Sequence, residues 1–158
     1  MSSATSLQLA DELRSRLEAE SQRIDSPVES LAAALLDEGL RMRRFSGIVF
    51  RDGPTGRRAG LVNGPDVWEI IRDLQSATGD HAARVSQVRD EAALAGSAIS
   101  LAEQYYESYP AEIDDRIERH YEFVEQLLEA NETERRAGAD VESRAGDRGT
   151  SPRSGMSL

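Results

Sequence analysis

Histidine and carboxylate are the side chains from which this chain could build a hydrolytic or metal centre, and their placement argues against one. Cysteine is absent, which excludes disulfides and thiolate ligands, and neither His81 nor His120 sits in a spacing that gathers a metal. The 29 acidic residues mostly alternate with apolar ones at the spacing of a helix surface, so solvation accounts for them without chemistry. No motif sets a nucleophile beside its base. The expectation is a chain that is not an enzyme and needs neither metal nor cofactor.

Arginine is the other candidate, since every basic residue is arginine. A net charge of −10 taken alone argues against a nucleic-acid partner, but the distribution is uneven. Residues 41–60 hold Arg41, Arg43, Arg44, Arg51, Arg57 and Arg58 against Asp52 alone, a balance of +5. Residues 101–130 hold nine acids against Arg116 and Arg119, a balance of −7. A basic middle suits phosphate, and an acidic late segment suits a basic partner.

Secondary-structure elements must position these charges. At 158 residues, with 39% apolar and 30% charged, the chain fits one compact domain or two small ones. No apolar run reaches membrane-spanning length, and Asp11, Glu12, Glu18 and Glu20 interrupt any signal-peptide core, so the expected location is the cytoplasm, with no membrane contact.

Thr5, Ser6, Leu7, Gln8 and Leu9 alternate as a short strand, which cannot be stable without a partner strand. Leu13, Leu17 and Ile24 then recur with helical spacing, helped by Ala10 and Ser21. Ser26 as cap, Pro27 at the first helical position and Glu29 to close a capping box predict a second helix from Pro27. Its stripe is Val28, Leu31, Ala32, Leu35 and Leu36, with Gly39 as a stop. Neither helix can bury its stripe in so small a monomer, whereas two copies pairing their strands and interleaving four helices would bury both.

On these residues, positions 3–40 resemble the ribbon-helix-helix repressors, the Arc, MetJ and CopG group. The resemblance implies a homodimer on operator DNA, with Thr5, Leu7 and Leu9 inward and Ala4, Ser6 and Gln8 facing the major groove. Gln8 would engage adenine through its amide, Ser6 would donate or accept, and Ala4 would touch a thymine methyl. Backbone amides around Ser26, Pro27 and Val28 would hold a phosphate, with Arg43 and Arg44 adding charge nearby. The same pattern also suits a dimerisation module without DNA, because the strand carries no arginine.

Further along, Ile48-Val49-Phe50 and Ala59-Gly60-Leu61-Val62 flank the breakers Asp52-Gly53-Pro54-Thr55-Gly56 and predict a hairpin. Asp66 and Glu69 can cap a helix with inner face Val67, Ile70, Ile71 and Leu74, its edge covered by Trp68. From Ala82 a helix, the turn Ala93-Leu94-Ala95-Gly96 and a helix over 97–109 place Val88, Leu94 and Ile99 as in a helix-turn-helix unit. Glu103 and Glu107 on the second helix disfavour phosphate, so this reads as a packing unit. Past Pro110, the stripe Ile113, Ile117, Tyr121, Val124 and Leu128 runs along an acidic helix.

SGIVFRDGPTGRRAGL, PDVWEIIRDL and AEQYYESYPAEIDDRI together resemble an antitoxin-associated domain of the VapB class, whose genes lie beside PIN-type toxins. The similarity covers 45–119, and the element formed by Tyr105, Tyr106, Tyr109, Pro110, Glu112, Ile113 and Asp114 is its most specific part. It implies a toxin-facing set of Tyr105, Tyr106, Tyr109, Ile113 and Ile117, which the apolar stripe of the acidic helix extends to Tyr121 and Val124.

The expected fold is mainly α with short β. It comprises a ribbon-helix-helix module over 1–44, a hairpin with a helical, helix-turn-helix-like domain over 45–135, and a disordered tail over 136–158. The expected function is an autorepressing antitoxin that inhibits a PIN-type ribonuclease. The alternative is a stand-alone dimeric transcriptional regulator.

Overall fold

The computed structural model describes residues 6–53 and 55–146, with 137–146 described by backbone alone. The chain is mainly helical with one small antiparallel sheet, in the order α1 (Asp11–Arg23), α2 (Val28–Arg44), β1 (Ile48–Arg51), β2 (Arg58–Leu61), α3 (Val67–Ser76), α4 (His81–Glu91), α5 (Gly96–Ser108) and α6 (Pro110–Gly146). None of these helices is long and apolar enough to cross a membrane. Two compact units result, Met1–Ser108 and Tyr109–Leu158.

In the first unit, acids in the first turns of α1 and α2 and arginines in their last turns oppose the helix dipoles favourably. The connection turns at Asp25, held at φ +51, a conformation that aspartate tolerates better than most residues. Ser26 does not cap α2. Its N–H donates to the Ser21 carbonyl at 3.0 Å and its own carbonyl accepts from the Ser21 hydroxyl, while Pro27 stands at the cap position in an extended conformation. Gly39 does not stop α2 either. Leu40, Arg41, Met42, Arg43 and Arg44 are good helix formers and outweigh the ~1 kcal/mol that a mid-helix glycine costs.

Strands β1 and β2 pair in the register Ile48↔Leu61, Val49↔Gly60, Phe50↔Ala59 and Arg51↔Arg58. The expected capping box forms: the Asp66 side chain accepts at the start of α3 and the Glu69 carboxylate accepts the Asp66 N–H at 2.8 Å. Val67, Ile70, Ile71 and Leu74 are all buried, as their spacing predicts, and Trp68 is half-buried with the Arg72 guanidinium 5.2 Å from its ring centre. Asp80 caps α4 by accepting from the Ala83 N–H at 2.9 Å. Ala93, at φ +51, turns the chain between α4 and α5, and Val88 and Ile99 are buried while Leu94 is half-buried. The core of this unit ends on Tyr105, fully buried and edge-on to Phe45 at 5.3 Å.

Proline at 110 has no N–H and biases Tyr109 away from the helical region, which separates α5 from α6. In the second unit, α6 extends over 37 residues, about 55 Å at the usual rise. It therefore continues through 136–146, a stretch expected to be disordered, because alanine, glutamate and arginine there sustain a helix without needing a core. The rest of the expected tail, 147–158, lies outside the described residues.

Candidate functional site

The N-terminal helical pair leaves most of its apolar stripe uncovered. Ser21 and Leu31 are buried between the helices, but Leu13, Leu35, Leu36 and Leu40 are 49%, 47%, 52% and 67% exposed. A groove of about 510 Å³ runs along this surface, lined by Leu13, Leu17 and Leu35 with Arg16, Glu20 and Arg23 at its rim. Arg23 donates to both Glu20 oxygens, and these hydrogen bonds hold the Glu20 carboxyl below its ordinary range. Residues 6–10, preceding α1, are neither helix nor strand in the single chain, and Leu7 and Leu9 stand 62% and 40% exposed.

Of the expected base-facing residues, Ser6 and Gln8 are exposed, and Ala4 lies outside the described residues. The expected phosphate clamp is narrower than the sequence suggests. The Ser26 N–H is spent on Ser21 and Pro27 has none, which leaves the first-turn amides of Val28, Glu29 and Ser30 ahead of Leu31, the first to bond back within the helix.

The arginine cluster is largely neutralised from within. Arg41 pairs with Asp37 at 2.7 Å and donates to the Tyr105 hydroxyl. Arg57 grips both oxygens of Glu38, at 2.6 and 2.8 Å, and also reaches Asp52. Arg51 and Arg58 both pair with the buried Asp66. Arg43 and Arg44 are exposed and have no acidic partner among the described residues; Arg44 lies over the Phe45 ring at 5.1 Å. The formal balance of +5 over 41–60 thus reduces to two available cations at the end of α2.

The expected toxin-facing set divides by burial. Tyr105, Ile113 and Ile117 are buried, at 0%, 1% and 6%, and Tyr106 and Tyr109 are half-buried. Tyr121 and Val124 are 52% and 36% exposed, and Phe123, Leu127 and Leu128 join them at 57%, 47% and 60%. The stripe continues from buried to exposed along one helix, with Glu118, Glu122, Glu125 and Glu129 beside its open part. Phe123 and Leu127 fall outside the single-residue-wide stripe that spacing alone picks out, and their exposure brings them in.

A smaller cavity of about 270 Å³ lies among α3, α4 and α5, floored by Ile71 and Leu74 and crossed by a 2.6 Å contact between His81 Nε2 and Glu103 Oε1. The described residues contain no group of three histidine or carboxylate side chains placed to share a metal ion. No protein-family model matches the chain, and neither does any curated protein or solved structure.

Proposed function

We propose that the chain is a DNA-binding antitoxin that dimerises through a ribbon-helix-helix module, represses its own operon and inhibits a PIN-type ribonuclease. One observation carries the reading: a helical pair with its leucine face open, preceded by a segment that leaves Leu7 and Leu9 exposed. Exposed apolar surface of that extent marks an association site. Strand pairing with a second copy covers it and presents Ser6 and Gln8 together to the major groove. The exposed cation Arg44 and the free amides at the start of α2 suit phosphates on either side. The open acidic stripe of α6 suits a basic, RNA-binding channel.

The alternative, a stand-alone dimeric regulator, gains from one observation: three of the seven toxin-facing positions are buried in the chain itself. Co-expression with the adjacent reading frame separates the two. The antitoxin reading expects a co-purifying nuclease whose activity is suppressed, and a chain that binds its promoter but captures no such partner leaves the regulator.

A further inference from the structure

Glu29, Leu36 and Arg43 stand seven residues apart on α2, a spacing that returns to nearly the same side of a helix. Leu36 is half exposed at the centre of that line, with Leu35 and Leu40 beside it and Gly39, around which a Cβ would meet nothing within 4 Å. The other side of α2 is satisfied within the chain, where Leu31 and Phe45 are buried and Glu38 and Arg41 are engaged by Arg57 and Tyr105. The two ends of the exposed line carry opposite charges. Glu29 and Arg43 are both exposed, and neither has an ion-pair partner among the described residues.

Resting on the dimeric reading above, we propose that two copies of α2 cross antiparallel with the twofold axis at Leu36. Glu29 of each chain then meets Arg43 of the other. A twofold axis at position 36 maps 29 onto 43 and 32 onto 40, so Ala32 of one chain lies against Leu40 of the other. The occupant is a second copy because the face is complementary to itself, with acid and base equidistant from a central leucine. The area agrees. Leu7, Leu9, Leu13, Leu35, Leu36 and Leu40, each 40–67% exposed, leave on the order of 500 Å² per chain, more than half of the ~800 Å² per partner in a standard interface. The bare Cα of Gly39 lets the second helix approach closely. The pairing also divides the two arginines at the end of α2, giving Arg43 to the interface and leaving Arg44 to phosphate.

Sedimentation equilibrium of the full chain tests this in four samples: the unchanged chain, Glu29→Arg, Arg43→Glu, and an equal mixture of the two variants. Each variant alone sets like charges opposite one another twice per dimer, and its dimer Kd rises about tenfold or more. In the mixture, the heterodimer restores both opposite-charge pairs, and association returns to within about threefold of the unchanged chain. Misfolded chains would not complement one another, so rescue by mixing also excludes a folding defect. Single variants that associate like the unchanged chain, or a mixture no better than its components, overturn the antiparallel crossing while leaving the dimer in place. An unchanged chain that sediments as a monomer removes the dimeric reading as well.

Discussion

Arg41 donates a 2.9 Å hydrogen bond from Nη1 to the hydroxyl of Tyr105, sixty-four positions away, and the Tyr105 ring packs edge-on against Phe45. The end of α2 is thereby fixed to α5, and Tyr105 acts as core rather than as surface. Tyr105→Phe should keep the fold and lose about 1–2 kcal/mol in urea denaturation, since it removes one charge-assisted hydrogen bond. Tyr105→Ala should lose about 3–5 kcal/mol through the cavity it leaves. Partner capture by a folded Tyr105→Phe variant should match that of the unchanged chain; loss of capture without loss of stability would return Tyr105 to the interface.

Asp66 serves three groups at once: the first turn of α3, Arg51 and Arg58. Its side chain is 7% exposed, so its removal leaves two guanidinium groups facing a poorly solvated site. Asp66→Ala should therefore cost about 3–5 kcal/mol, with a further contribution of about 1 kcal/mol from the missing cap. The urea midpoint should fall sharply. A midpoint within experimental error of the unchanged chain would mean that the pairs are solvated rather than structural.

The pairing of Arg57 and the availability of Arg44 predict different effects on the proposed DNA binding. Arg44→Gln should shallow the dependence of log K on log salt by about 0.9 for each phosphate no longer neutralised. Arg57→Gln should leave that slope unchanged, because its charge is committed to Glu38. Filter binding from low to moderate salt distinguishes the two. Equal changes in slope would show that internal ion pairing does not decide which arginines reach DNA.

On α6, burial separates stability from binding. Tyr121 and Leu128, more than half exposed, should tolerate serine with little change in the thermal transition while the proposed toxin inhibition is lost. Ile113→Ser should instead lower the transition, since that side chain is 1% exposed. A Tyr121→Ser, Leu128→Ser double variant that still inhibits would reduce the stripe to a solvated face.

Local chemistry is legible in the sequence. The Asp66–Glu69 capping box, the hairpin around 52–56 and the inner face of α3 rest on contacts within a few residues, and they form where spacing puts them. Two local signals mislead. Ser26 has the side chain of a cap, but its backbone is drawn back to Ser21 by the turn at Asp25. Gly39 has the form of a stop, but a glycine ends a helix only when the next residues favour ending, and five helix formers succeed it. Pairings across long separations, such as Arg57 with Glu38 or Arg41 with Tyr105, leave no periodic trace, so the arginine cluster reads as a free basic patch. The stripe of α6 reads as one surface for the same reason: periodicity places Ile113 and Tyr121 on one face and is silent on which of them is covered.

In the proposed dimer, the segment before α1 becomes a strand against its own copy. Because the chain has no cysteine, Ser6→Cys offers a single site for a spin label, and continuous-wave line broadening at short range with pulsed electron–electron double resonance beyond it reads the distance between labels in the assembled protein. A two-stranded antiparallel ribbon centred near this position sets the two backbones ~5 Å apart, so the labels should lie within roughly 20 Å of each other once their arms are included. A distribution confined to distances beyond roughly 40 Å, the far side of a small dimer, or no dipolar coupling at all, would contradict the ribbon.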